Sequence, residues 1–364
     1  MNANEHGSDP CSFAFICGLF KMAFNPRNIL VIDFGQLGDV VMSLPALRAI
    51  RGRFPHAQIT VAVGKPGKEL LNLSGYANEI LEVDRVALRD GPTLISIGRI
   101  AKFVSEVRKK KFDFVIDLHS YYETNILGFL SGAPRRLYSR RSNRSLDFLA
   151  NFTPRPAKEV ETTHLVDRYL DVLKPLGIEN VSRAPALRTS AADDAAVEAL
   201  LKKEKAQSRE LLVGVFPGAG SSTRLWPLER FIELADHLIR NDKVRVIVFA
   251  GPEEREMVPQ MRKLFPAGTI FFDRLTIPQL VSAQARLTVF ISNDTGPAHI
   301  AAAVGTPVIM IMDRPDPHSF TPAGYSNRLI FGPKITEIPV TQVYRAAHEL
   351  IAISRTDTLF RAEK

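Results

Sequence analysis

The turn Gly35-Gln36-Leu37-Gly38-Asp39 joins an apolar run, Ile29-Leu30-Val31-Ile32-Asp33, to the helix-like stretch Val40-Val41-Met42-Ser43-Leu44. Glycines at a strand-to-helix turn let backbone approach a ligand closely and point free N–H groups at it. Asp39 adds a carboxylate, and a carboxylate at the carboxyl edge of a first strand can take a proton from a hydroxyl. The same residues also suit a purely structural corner, so the turn alone supports both readings.

A second candidate follows another apolar run, in Phe216-Pro217-Gly218-Ala219-Gly220-Ser221-Ser222-Thr223-Arg224-Leu225-Trp226-Pro227. The small residues from Gly218 to Ser222 leave backbone N–H groups free, Arg224 supplies a cation, and Pro227 suits a first helical position. A diphosphate needs that combination; the rival reading is a solvated loop with Trp226 in the core. Ser292-Asn293-Asp294-Thr295-Gly296-Pro297-Ala298-His299 is a third candidate. Asp294 or Thr295 serves there as a helix N-cap, or Thr295 and Gly296 offer N–H groups to phosphate while Asp294 holds a sugar hydroxyl. His299 reads as a core histidine or as a donor contact. Glu254, in Ala250-Gly251-Pro252-Glu253-Glu254, either binds ribose hydroxyls or stabilises a helix start.

Two common nucleotide machineries do not fit. A nicotinamide fold wants an acidic residue ending its second strand, where this chain has Val63-Gly64-Lys65, and no Gly-Lys-Ser or Gly-Lys-Thr phosphate loop is present. The 47 Lys and Arg against 39 Asp and Glu leave a formal charge of +8, which favours acidic partners. The basic clusters Lys109-Lys110-Lys111, Arg135-Arg136 and Arg140-Arg141 with Arg144 are solvated faces or contacts for an acidic acceptor or anionic lipid headgroups. They lack the interleaved aromatic platforms of single-strand binders, so nucleic acid is not expected as a partner.

Positioning these turns requires strands that all end on one side. Strands are expected at 29–33, 58–63, 79–83 and 112–118, with helices at 40–53, 94–110 and 163–176; this alternation predicts a parallel sheet. Residues 182–210 read as a connection carrying one polar helix. The pattern then restarts, with strands at 211–216, 244–249, 287–292 and 308–312 and helices at 228–240, 253–264, 277–285 and 298–304. Two such halves, each with a glycine turn after its first strand, predict a cleft between them. Cys11 and Cys17 lie at the N-terminus without partners at metal-ligand spacing, which fits a reducing cytoplasm. The apolar run 13–20 is too short to span a bilayer and lacks signal-peptide flanks, and Met22 is a candidate alternative start.

Together these segments resemble glycosyltransferase family 9, the ADP-heptose:lipopolysaccharide heptosyltransferases of Gram-negative bacteria. The matching stretches are 29–47, 114–118, 164–170, 217–231, 251–254 and 292–307, and the resemblance spans about 27–352. It implies an α/β chain of GT-B fold, two Rossmann-like doubly wound domains facing a central cleft. The expected division is an N-terminal extension 1–26, poorly ordered; an acceptor domain 27–185; a connection 186–209; a donor-binding domain 210–340; and a C-terminal helix and tail 341–364.

By the resemblance, Asp39 is the general base and Arg224 the cation at the donor phosphates. By the same resemblance Glu254, Asp294, Thr295 and Gly296 complete the donor side; the residues' own chemistry adds Gly218, Ser222 and His299 there, and Gly38, Arg135 and Arg136 on the acceptor side. The family commonly has lysine where Arg224 stands, so a bidentate guanidinium replaces a point charge. The implied reaction is inverting, metal-independent transfer of heptose from ADP-heptose to the lipopolysaccharide inner core, with no cofactor. No Asp-x-Asp motif stands at a strand end, so Arg224 and a helix N-terminus would meet the leaving charge. The expected location is cytoplasmic and peripheral at the anionic inner-membrane surface. Alternatives are a same-fold transferase with another nucleotide-sugar donor, a sugar-nucleotide epimerase, and a non-catalytic nucleotide-sugar-binding protein.

Overall fold

The computed structural model describes residues 24–83, 93–207, 210–314, 317–324 and 326–362. The readings made for 1–23, including Cys11, Cys17, the apolar run and Met22, lie outside the described residues, as do tail residues 363–364.

Among the described residues the strands form two all-parallel sheets. The first has the order β3-β2-β1-β4-β5, built from β1 (Asn28–Asp33), β2 (Gln58–Gly64), β3 (Glu79–Val83), β4 (Phe114–Asp117) and β5 (Arg135–Tyr138). The second has the order β11-β10-β9-β6-β7-β8, from β6 (Leu212–Phe216), β7 (Arg245–Phe249), β8 (Ile270–Phe272), β9 (Val289–Asn293), β10 (Val308–Met312) and β11 (Arg328–Phe331). Central strands such as Ile29-Leu30-Val31-Ile32 are apolar on both faces because helices cover both. In each sheet the order reverses once, between β1 and β4 and between β6 and β9. Loops leaving such strands diverge, and a crevice opens at their carboxyl ends.

The helices are α1 (Leu37–Arg53), α2 (Lys65–Ser74), α3 (Thr93–Lys109), α4 (Tyr122–Leu130), α5 (Leu165–Asp171), α6 (Ala191–Lys203), α7 (Leu228–Asp242), α8 (Val258–Leu264), α9 (Ile277–Gln284), α10 (Gly296–Ala303) and α11 (Val340–Ala362). Helix α1 is buried on nearly every face over its first three turns, because one side packs on the first sheet and the other on the second half of the chain. Val281, Ile300 and Ala303 of the second half share a continuous apolar cluster with Ile29, Val40 and Leu44 of the first. Among the described residues no helix is long and apolar enough to cross a membrane.

Several elements differ from the sequence expectation. Helix α1 starts at Leu37, so Asp39 belongs to its first turn, where its carboxylate accepts the Gln36 N–H at 2.9 Å. An acceptor for an orphan N–H, placed at the positive end of a helix, explains the earlier start. The helix expected at 163–176 divides into α5 and a short 3-10 turn, Lys174–Leu176, whose Pro175 lacks an N–H to continue an α-helix. Strand β5 was hidden by its leading Arg135-Arg136, which reads as a charge run rather than as an edge strand.

Candidate active site

The crevice at the first switch point is lined from β1, α1 and β4. Asp33 ends β1 fully buried, and its Oδ1 accepts the Gly35 N–H at 3.0 Å. His119, two residues past β4, brings Nδ1 to 2.9 Å from the same oxygen, while its Nε2 lies 3.0 Å from the Tyr169 hydroxyl of α5. The loop holding His119 is itself fixed. The His119 and Ser120 N–H groups donate to Asp117 Oδ1 at 3.1 and 2.8 Å, and Asn125 Nδ2 donates to Oδ2 at 2.8 Å. Burial pushes the Asp117 carboxyl up to about 6, although these donors oppose it.

Asp39 stands half-buried above this group. Burial raises its proton affinity, while His119 and the Gln36 N–H pull it back. For Asp33 the balance differs: burial is outweighed by His119, with Ser43 and Gly35 adding to it, and the carboxyl lies below its ordinary value. His119 is correspondingly held above the ordinary imidazole value, since Asp33, Asp39 and Asp117 outweigh its burial. Gly35 makes the convergence possible. A Cβ there would overlap Asp39 Cβ and stand 2.8 Å from His119 Cε1 and 3.1 Å from Asp33 Oδ1.

At the second switch point Asn293, buried at the end of β9, ties the glycine loop in place. Its Nδ2 donates to the carbonyls of Pro217 and Gly218 at 2.9 and 3.0 Å, and its Oδ1 accepts the Trp226 N–H at 3.0 Å. Trp226 is a core residue, leaving Ser222 and Arg224 on a 3-10 turn facing solvent. Asp294 lies 2.7 Å from Arg314 and 3.8 Å from Arg224. Burial raises its proton affinity and the two guanidiniums oppose this. Glu254 accepts the Gly251 N–H at 2.8 Å, and its carboxyl occupies the space above Gly218 where a Cβ would sit. Burial raises Glu254 as well. Thr295 stands at the N-cap position of α10 with its hydroxyl unbonded, and Gly296 is the first residue of the helix. Asp294, Thr295, Gly296, Glu254, Gly218, Ser222 and Arg224 thus gather at the carboxyl ends of β6, β7 and β9.

Four expected site residues stand elsewhere. Gly38 faces the second half: a Cβ on it would lie 2.9 Å from His299 Cδ2 and 3.5 Å from Gly296 Cα. His299 is only 4% exposed and forms part of that seam. Burial, with the charges of His164 and Arg314, pushes it down to about 3, so it stays neutral. Arg135 and Arg136 open β5 level with the start of β4, at the opposite edge of the sheet from Asp39. Arg136 is spent on the Leu149 and Ala133 carbonyls, at 2.9 and 2.7 Å. Arg141, past the carboxyl end of β5, has its guanidinium 4.6 Å from the Tyr121 ring centroid and 3.8 Å from Glu159.

Asp33, His119, Tyr169, Asn293 and Arg314 were not singled out from sequence. His119 and Asn293 carried a usable signal, since each ends or follows a strand at a switch point. Tyr169 and Arg314 carried none: one lies in a helix pattern and the other beyond β10. The segment around Phe320 links the halves, its ring lying 5.5 Å from the Arg168 guanidinium of α5 and 5.0 Å from that of Arg314.

The profile of glycosyltransferase family 9 (heptosyltransferase) matches residues 100–342. Lipopolysaccharide heptosyltransferase 2 of Escherichia coli is 24% identical over 317 residues, covering 83% of this chain and 87% of that one. The core heptosyltransferase OpsX of Haemophilus influenzae is 21% identical over 288 residues, 78% of each chain. Among solved structures, a family 9 glycosyl transferase from Veillonella parvula superposes with a TM-score of 0.79 at 22% identity, over 91% of this chain and 99% of that one. The E. coli heptosyltransferase WaaC with ADP gives 0.70 at 19% identity, over 89% and 100%. These similarities show the two-domain GT-B fold.

Proposed function

The chain belongs to glycosyltransferase family 9 and is a glycosyl-transferring enzyme, and from that premise we propose that it moves a heptose from ADP-heptose to the lipopolysaccharide inner core with inversion at the anomeric carbon. The observation that carries this reading is the pairing of two crevices. Asp39 ends one, while Asp294, Arg224 and the N-terminus of α10 end the other, joined through the close approach of Gly38 to Gly296.

In this reading the donor lies on the second half, with Glu254 on the ribose hydroxyls and Asp294 on the sugar. The acceptor hydroxyl gives its proton to the Asp39 carboxylate as its oxygen bonds to the anomeric carbon. The bond from that carbon to the diphosphate oxygen breaks on the opposite face, and the electron pair leaves with ADP. Arg224 and the Thr295 and Gly296 N–H groups meet the charge on the departing diphosphate, the task a divalent ion performs elsewhere. Transfer is therefore expected to survive a chelator. The acidic acceptor sits against the first half near Arg141, and the protein works peripherally at the cytoplasmic face of the inner membrane.

The deciding measurement is Asp39→Asn, assayed for both donor binding and turnover. Donor affinity should stay close to that of the unaltered enzyme while turnover falls about 10²- to 10⁴-fold, the range expected for a lost general base. Near-normal turnover would remove Asp39 from that role.

A further inference from the structure

Beneath Asp39 lies a buried ionisable group that the transfer step leaves unused. The surrounding elements contribute Asp33 from β1, Asp39 from α1, Asp117 at the end of β4, His119 and Tyr121 from the loop after it, and Arg168 and Tyr169 from α5. His119 sits among them only 4% exposed, with Nδ1 2.9 Å from Asp33 and Nε2 3.0 Å from the Tyr169 hydroxyl. One ring nitrogen therefore stands at ion-pair distance from a buried carboxylate and the other beside a hydroxyl oxygen able to accept, an environment that suits a charged imidazolium. Its Cε1 edge points at Gly35, the position that lets it approach Asp39.

We propose that His119, clamped by Asp33 and Tyr169, is a positioning residue: a fixed buried cation that keeps the Asp39 carboxylate ionised when donor and acceptor displace water from the crevice. The inference rests on Asp39 being the base. Filling the crevice removes the solvent that favours the charged carboxylate, and a protonated Asp39 could accept nothing. A cation already neutralised on its far side by Asp33 opposes this without requiring a mobile ion. Arg168 stands too far into its own contact with Glu159, at 2.6 Å, to serve as the main partner.

The test is the pH profile of kcat for the full chain at saturating donor and acceptor, whose acid limb reports the base in the filled crevice. His119→Gln keeps a side chain able to hydrogen-bond Tyr169 but carries no charge. Its acid limb should move up by about one pH unit, roughly a tenfold loss on the acid side that is recovered at higher pH. Asp33→Asn removes the counter-ion of the imidazolium, so His119 should give up its ring proton at lower pH in ¹⁵N spectra, and a ring that titrates unchanged would take Asp33 out of the clamp. A limb unmoved in His119→Gln, with turnover lowered equally at every pH, would reduce His119 to a spacer and overturn the proposal. Should His119→Gln fail to fold, ¹⁵N spectra of the unaltered protein decide. Both ring nitrogens of His119 should be protonated at pH 7, and a neutral tautomer would overturn the proposal. Failure of the underlying reading is distinguishable, because Asp39→Asn would then retain turnover whatever the His119 variants do.

Discussion

Arg314 and Arg224 approach one carboxylate with unequal claims on it. Arg314 lies 2.7 Å from Asp294 with its side chain 24% exposed, whereas Arg224 is 3.8 Å away and 42% exposed. The nearer guanidinium is committed to neutralising Asp294, which leaves the farther one free to meet a ligand's phosphates. Arg224→Ala should therefore weaken ADP binding about tenfold or more with little change in unfolding midpoint; unchanged affinity would take Arg224 out of the phosphate site. Arg314→Ala should show the reverse emphasis, because a mostly buried carboxylate loses its partner. A loss of about 1–3 kcal/mol in denaturant unfolding is expected.

Two helix N-termini, those of α1 and α10, meet where Gly38 and Gly296 leave little room for a Cβ. A Cβ on Gly296 would lie 3.1 Å from Leu37 Cβ and 3.3 Å from the Gly38 nitrogen, so backbone on one side must shift to admit it. The same contact sets the distance between Asp39 on α1 and Asp294 just before α10. Gly296→Ala should thus cost about 1–3 kcal/mol in urea unfolding, the usual range for overpacking a close contact. Turnover should fall with it as the two crevices separate. An unchanged unfolding midpoint would mean that the seam yields freely. This element-level constraint was half legible: both glycines stood out beside helix starts, but sequence cannot say that they face each other rather than a ligand.

Stability of the whole molecule should depend on pH through its buried histidines, with opposite signs. His299 is held near 3 in the folded protein against 6.5 when unfolded, so below pH 6.5 the unfolded chain binds a proton that the folded one refuses. Its contribution is lost as pH falls from 6.5 toward 3, at up to about 1.4 kcal/mol per pH unit. His119 is raised, so its contribution is complete below 6.5 and disappears as pH rises through its folded value. Asp33 is lowered, so its contribution holds above 3.8 and is lost as pH falls through its folded value. The His119 and Asp33 contributions are therefore both complete between 3.8 and 6.5. His299→Asn should flatten the acid-side loss between pH 6.5 and 4 in unfolding measurements, and an unaltered slope would assign that proton uptake to other groups.

Alternating apolar runs and helical patterns, with glycine turns after Asp33 and Phe216, were enough to read two parallel α/β halves from the amino-acid order. Burial periodicity is local, and each run reports its own surroundings. The order also marked Asp39, Arg224, Glu254 and Asp294, because each follows a strand. It could not show which strand ends are neighbours. His119 reaches Asp33 only because β4 pairs with β1, and it reaches Tyr169 across 50 residues of chain. Strand direction likewise placed Arg135 and Arg136 at the far edge of the sheet, where charge clustering alone had suggested an acceptor contact. Composition and spacing determined what chemistry was available. Strand order and the helix seam decided which groups meet, because those depend on packing between segments distant in sequence.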